Sequence, residues 1–151
     1  MINDTRISSY EDSKQYLFIA ATVYFELGDI QKAKKAGSNY LTKLKEYFGG
    51  TIDMILSDAR YRPSYLYDIV IAYICMGELS EAKKYVEQIR ECHLCVMCEA
   101  SDCFEYHFAK GLIAETEGRY SEAKMLYERA LELRGDYPCA ARHLETVNEK
   151  L

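Results

Sequence analysis

Apolar and polar positions along the chain alternate with a helical period, and one block of that pattern recurs three times. Gly28, Ile30, Ala33 and Lys34 are matched by Gly77, Leu79, Ala82 and Lys83, and again by Gly118, Tyr120, Ala123 and Lys124, with polar residues at the remaining positions. Upstream the register holds. Tyr24, Tyr73 and Ala114 stand four residues before each Gly, Ala21, Val70 and Gly111 seven before, and Leu17, Leu66 and His107 eleven before. Apolar residues at these intervals form one buried stripe on a helix. The Gly ends that helix, since it enters the left-handed conformation without a side-chain penalty. Asp29, Ser80 and Ser121 are the expected N-caps of the helix that follows. The Ala five residues after each Gly lets the two helices approach closely. Each copy therefore predicts a helical hairpin that cannot bury its apolar face alone and must stack on a neighbour.

Self-similarity at this scale is the mark of a repeat architecture, and the three copies resemble the tetratricopeptide repeat family. The third fits best: Gly111, Ala114, Gly118, Tyr120, Ala123, Tyr127, Ala130 and Leu131 fall where that family's signature places small, small, Gly, aromatic, Ala, aromatic, Ala and Leu. The second carries Leu66, Ile69, Tyr73, Gly77, Ala82, Val86 and Ile89 in matching places, and the first Leu17, Ala20, Tyr24, Gly28 and Ala33. The first then departs from the pattern. Gly37 stands where an aromatic is usual and Tyr40 where Ala is usual, a large-for-small exchange one turn apart that can conserve volume.

The resemblance implies an all-α fold: a right-handed superhelix of about three stacked helix-turn-helix repeats closed by a C-terminal capping helix. The expected organisation is a single domain over residues 1–151, with repeats near 14–48, 63–99 and 104–137 and the cap near 138–150. The marker glycines stand 49 and 41 residues apart, against a family period of about 34, so material is inserted after the first two hairpins. The first insertion holds Gly49, Gly50 and an amphipathic piece from Thr51 to Tyr61, read as a short helix ended by Arg62 and Pro63. The closing segment opens at Asp136, Tyr137 and Pro138 and puts Ala140, Leu144 and Val147 on one face, as a cap requires.

In the family the first helix of each hairpin lines a concave groove that binds protein or peptide. Carried over by position, the groove here holds Phe18, Thr22 and Phe25, then Tyr67, Ile71 and Ile74, then Phe108, Leu112 and Glu115. Members that grip the C-terminal carboxylate of chaperone tails use Lys, Asn and Arg at such places. Phe18, Thr22, Ser64 and Asp68 stand there instead, which argues against that activity. An apolar groove suits an amphipathic helix, a hydrophobic peptide or a second copy of the chain, giving a homodimer. The other reading is that these side chains pack on one another or on the arm from Asp4 to Tyr16.

Charge and composition narrow the partners. A net charge of −5 argues against nucleic acid and anionic membrane, which need a basic stripe. The lysines at 32, 34, 35, 43 and 45 read as the solvated face of a helix. The apolar run from Ile69 to Met76 is too short to cross a bilayer. The N-terminal stretch lacks the apolar core of a signal peptide, so with Met1 as the start the expected location is the cytoplasm, with reduced cysteines.

Cys92, Cys95, Cys98 and Cys103 cluster around His93. Four thiols in one window could hold zinc, which favours thiolate and imidazole; that would make the chain a metal- or redox-responsive module. Against this, one short window must bend sharply to surround an ion, and Ala82, Tyr85, Val86, Ile89, Cys92 and Val96 continue a single helical stripe that makes Cys92 a core residue. Packing thiols, a metal site and a disulfide all stay open on the sequence alone. No other cofactor is expected. Cys75 and Cys139 lie on helical stripes and read as core. There is no nucleophile elbow, phosphate-binding loop or paired-histidine metal motif, the three histidines are scattered, and no enzyme is expected.

Overall fold

The computed structural model describes residues 13–91 and 102–151, and within them all regular structure is helical: eight helices and no strand. Tertiary contacts divide the chain into two compact units, residues 1–78 and 79–151, with the division at the turn after Gly77.

The first unit contains α1 (Lys14–Glu26), α2 (Ile30–Phe48), the short α3 (Ile52–Ser57) and α4 (Arg62–Cys75). Ser13 caps α1 by accepting from the Tyr16 N–H at 3.2 Å. Gly28 closes the helix at φ +76°, a conformation that penalises any residue with a β-carbon. Asp29 then caps α2 through the Lys32 N–H at 3.1 Å, as read from the sequence. Ala33, Ala36, Gly37, Tyr40, Leu41 and Leu44 form the buried face of α2. The Gly37 and Tyr40 exchange has a visible use. A β-carbon on Gly37 would meet Met76 Cγ at 2.7 Å and the Ala72 carbonyl oxygen at 3.1 Å, so the bare Gly lets α4 approach α2. Tyr40 fills the neighbouring space against Phe18, ring centres 5.5 Å apart.

Thr51 caps α3 at 3.2 Å, and this helix buries Ile52, Ile55 and Leu56. The sequence reading placed its end at Arg62 and Pro63. It ends instead at Ser57, and those two residues open α4, where Pro in the first turn forfeits no helical hydrogen bond. Arg62 donates from Nε to the Leu56 carbonyl at 2.7 Å, which joins α3 to α4. Phe48 packs on Tyr61 and Tyr65 with centroids 4.7 and 5.2 Å away, fastening the end of α2 to the start of α4. Leu66, Ile69, Val70 and Ile74 are among the most completely buried side chains, each worth about 1.5–3 kcal/mol of apolar burial.

The second unit contains α5 (Leu79–Glu91), α6 (Phe104–Thr116), α7 (Tyr120–Leu133) and α8 (Pro138–Lys150). α6 and α7 form a hairpin whose turn is Gly118, φ +78°. Ala82 and Ala123 are fully buried, like Ala33 in the first unit. Tyr127, also fully buried, lies directly over Gly111. The serines expected as caps do not act so. α5 begins at Leu79 and α7 at Tyr120, which leaves Ser80 and Ser121 one residue inside their helices; Arg119 holds the cap position of α7 without a side-chain bond. α8 starts at Pro138 as expected, and buries Ala140 and Val147 completely, with Leu144 half-buried.

Candidate partner-binding surface

Eight of the nine groove positions fall into two groups, and the ninth, Glu115, is half-buried and hydrogen-bonded. Phe18, Thr22 and Phe25 on α1 and Tyr67 on α4 are half-buried, so each keeps an accessible edge. Ile71, Ile74, Phe108 and Leu112, expected on an open groove, are buried. A buried side chain cannot meet a partner without unpacking its own helix, so these four contribute to the core.

In the first unit α1 packs against α4, which brings the accessible members into one unit. Phe18 is held from behind by Tyr40. The Thr22 hydroxyl donates to the Ile19 carbonyl at 2.8 Å; its methyl group and the two phenyl rings then give α1 an apolar surface with no charge along it. The cation-rich side of this unit is elsewhere. Lys32, Lys34, Lys35 and Lys45 on α2 are exposed and Lys43 half-exposed, as expected of a solvated face. Between α1 and α2 lies an open cavity of about 270 Å³, lined by Tyr16, Leu17, Ala20, Tyr24, Lys32 and Lys35 among others. The Lys32 ammonium sits 5.5 Å from the Tyr24 ring centre and 3.8 Å from Asp29. Burial pushes the Cys75 thiol up to about 12, with the Glu26 carboxylate adding to the shift; the thiolate is suppressed at neutral pH, and Cys75 is a core residue. Cys139, expected in the core, is half-exposed.

In the second unit the groove positions are occupied by the hairpin's own packing. Phe108 stacks edge-on against Tyr137 at 5.0 Å and faces Tyr127 and His143, each at 5.9 Å. Glu115 accepts from the Tyr127 hydroxyl at 2.5 Å, and His143 Nδ1 lies 2.8 Å from the same carboxylate oxygen. One carboxylate thus ties α6, α7 and α8 together. The sequence offered no signal for this, because Glu115 and His143 are far apart in the chain and become neighbours only when the cap docks.

A second polar group joins Asp102 to the repeat: His107 Nε2 lies 2.5 Å from one of its oxygens, and Arg129 donates to the other at 3.0 and 2.6 Å. Burial raises the Asp102 carboxyl, but hydrogen bonds from Arg129 and His107 outweigh it and hold the group below its ordinary range. Across α5 and α6, Glu87 accepts from the Tyr106 hydroxyl at 2.7 Å and pairs with Lys110 at 3.1 Å, while Lys83 pairs with Glu117. A small cavity of about 300 Å³ lies among these charges, which already pair with one another. Of the cysteine cluster, Cys92, Cys95 and Cys98, with His93, lie outside the described residues. Cys103 is buried and precedes α6, its N–H bonded to Asp102 at 3.1 Å.

A hairpin with Gly under a buried aromatic ring, a left-handed Gly in the turn and Ala at the helix crossing belongs to the class of helical repeats. Residues 104–137 match the tetratricopeptide repeat family model, the α6–α7 hairpin with its flanking turns. No match was found among curated proteins or among solved structures. The family match supports a helical protein-interaction module, of a family that is generally a non-catalytic scaffold. Among the described residues no helix is long and apolar enough to cross a membrane.

Proposed function

We propose that the chain is a protein-interaction module that receives an apolar peptide or amphipathic helix on the α1–α4 surface, through Phe18, Thr22, Phe25 and Tyr67. The observation that supports this is a difference in accessibility. Ile71 and Ile74 on α4 are buried and the corresponding positions on α6 are buried or bonded, whereas these four keep accessible edges, three of them on the stretch of α1 from Gln15 to Phe25 that carries no charge. Phe18, anchored from behind by Tyr40, suits binding, because little side-chain freedom is lost on contact. A partner helix would lay an apolar face over these rings, in the helix-in-groove mode.

The test starts from peptides selected from a random library against the full chain. Their affinities are then compared for the wild type and for Phe25→Ser combined with Tyr67→Ser, with helicity followed by circular dichroism. Loss of at least tenfold in affinity at unchanged helicity is the expected result. Equal binding by the double variant refutes this surface. Ile71 is left unaltered, since a polar group at that buried position would unfold the core and mimic a loss of binding.

A further inference from the structure

The solvent face of α2 lacks the acids that the equivalent helices carry. Counting from the marker glycines, the second helix of copy two has Glu81, Glu87 and Glu91, and that of copy three has Glu122, Glu128 and Glu132. The same three places in α2 hold Lys32, Ser38 and Thr42. Four of those acids each hold a cation: Glu87 pairs with Lys110, Glu122 with Arg119, Glu128 with Lys124 and Glu132 with Arg129. The lysine six residues after each Gly shows the consequence. Lys83 pairs with Glu117 and Lys124 with Glu128, whereas Lys34 forms no ion pair among the described residues. Lys35 and Lys45 form none there either, because the single acid of α2, Glu46, pairs with Lys43, and Asp29 pairs with Lys32. At about 100° per residue, Gln31, Lys34, Lys35, Ser38, Thr42 and Lys45 share one stripe, opposite the buried Ala33, Tyr40 and Leu44. All six are exposed.

From this face we infer that α2 docks an acidic segment of a partner protein, laid in extended form along the helix. Lys34 and Lys45 stand about 16 Å apart along the axis, which an extended chain spans with carboxylates about five residues apart. One carboxylate meets Lys34 and Lys35, the other meets Lys45, and the backbone between them crosses the Ser38 and Thr42 hydroxyls, which can both donate and accept. The chemistry of the stripe selects this occupant. Its charge is of one sign, so an incoming carboxylate displaces no existing pair. It carries no aromatic ring on which a nucleic-acid base could stack. It carries no large apolar side chain that could enter a bilayer, since the apolar residues of α2 face the core. A nucleic acid or an anionic membrane would also meet the field of the whole chain, net −5, whereas a short acidic segment meets chiefly the local lysines. This face shares no residue with the surface formed by Phe18, Thr22, Phe25 and Tyr67, so it stands or falls independently of that reading.

The test is fluorescence anisotropy of a labelled peptide of about ten glutamates, long enough to reach both ends of the stripe, titrated with the full chain. At about 10 mM salt, where charges act over about 30 Å, the expected result is saturable binding with a dissociation constant of about 1–100 μM. Ser38→Glu combined with Thr42→Glu returns two of the acids present in the other copies. It should weaken binding at least about tenfold without lowering the melting temperature, because Glu at 38 lies four residues from Lys34 on an exposed helix face. Lys34→Glu, Lys35→Glu and Lys45→Glu together should abolish binding, and Arg at the same three places should retain it. Lys124→Glu, on the paired lysine of copy three, and Phe25→Ser with Tyr67→Ser, on the other surface, should each bind as the wild type does. A wild type that does not bind the peptide overturns the proposal, as does a Ser38→Glu, Thr42→Glu protein that binds it unchanged. Loss of binding in the Phe25→Ser, Tyr67→Ser protein places the peptide on the α1–α4 surface and overturns it too. An oligodeoxythymidine of equal charge that binds as tightly as the peptide shows an unselective polyanion site, and overturns the assignment to an acidic protein segment.

Discussion

A β-carbon placed on Gly111 would lie 2.5 Å from the nearest Tyr127 ring atom, closer than side-chain carbons approach. This contact sets the spacing between α6 and α7. Gly111→Ala gains helix propensity of about 1 kcal/mol but must displace a ring that is fully buried and hydrogen-bonded. Overpacking of this kind costs about 1–3 kcal/mol, so the expected result is a net loss of up to about 2 kcal/mol in urea unfolding. A gain in stability would show that the Tyr127 ring swings aside freely.

Tyr40 gives the opposite sign. Its hydroxyl is buried and has no hydrogen-bond partner, and burial, with Asp68 and Tyr65 nearby, drives its pKa far upward. A buried unsatisfied polar group costs about 1–3 kcal/mol. Tyr40→Phe keeps the ring against Phe18 and removes the hydroxyl, and should stabilise the first unit by about 1 kcal/mol. Calorimetric unfolding of the two proteins decides it: a lower melting temperature for the variant would mean that the hydroxyl is satisfied in solution.

The carboxylate of Glu115 joins three helices, so its loss should not act as a single contact. Glu115→Ala is expected to cost about 1–3 kcal/mol, because Tyr127 and His143 each lose a bond in a half-buried site. A double-mutant cycle with Tyr127→Phe should show a coupling of at least about 0.5 kcal/mol. Additive effects would mean that the Glu115–Tyr127 contact contributes nothing to holding α7 on α6.

Asp102 makes stability sensitive to acid. Its folded pKa lies below the ordinary value, so its contribution is complete above the unfolded pKa of about 4 and is lost as the pH falls through the lower folded value. The difference in urea midpoint between wild type and Asp102→Asn should be constant from neutral pH to about pH 5, shrink below about pH 4, and vanish in stronger acid. A difference that persists in strong acid would trace to shape and not to charge.

These cases mark what the sequence could and could not tell. Gly28, Gly77 and Gly118 were legible because each sits at positive φ, where side chains are penalised. Ala33, Ala82 and Ala123 were legible because a helix crossing admits only a small residue there. The caps were harder. Only Asp29 follows its Gly directly with a short acceptor side chain of the capping kind, Glu78 and Arg119 standing in the other two copies, and the helices begin two residues earlier than Ser80 and Ser121 as caps would place them. Accessibility at the groove positions was beyond reach, since burial of Phe108 depends on Tyr137 and His143 arriving from the capping segment. Periodicity reports which face of a helix is apolar; it does not report which later helix will cover it.

The contacts within each unit run mostly between helices that are near one another in the chain: α1 with α2, α2 with α3 and α4, α3 with α4, α5 with α6, α6 with α7 and α7 with α8, with α1 on α4 the longest link. Little loop entropy must be spent before a native contact forms. The search for the native state is therefore short, and hairpins such as α6–α7 can nucleate as soon as their own residues are available. Such a chain is expected to fold in milliseconds or faster and to acquire structure progressively as it leaves the ribosome, without waiting for its last residue.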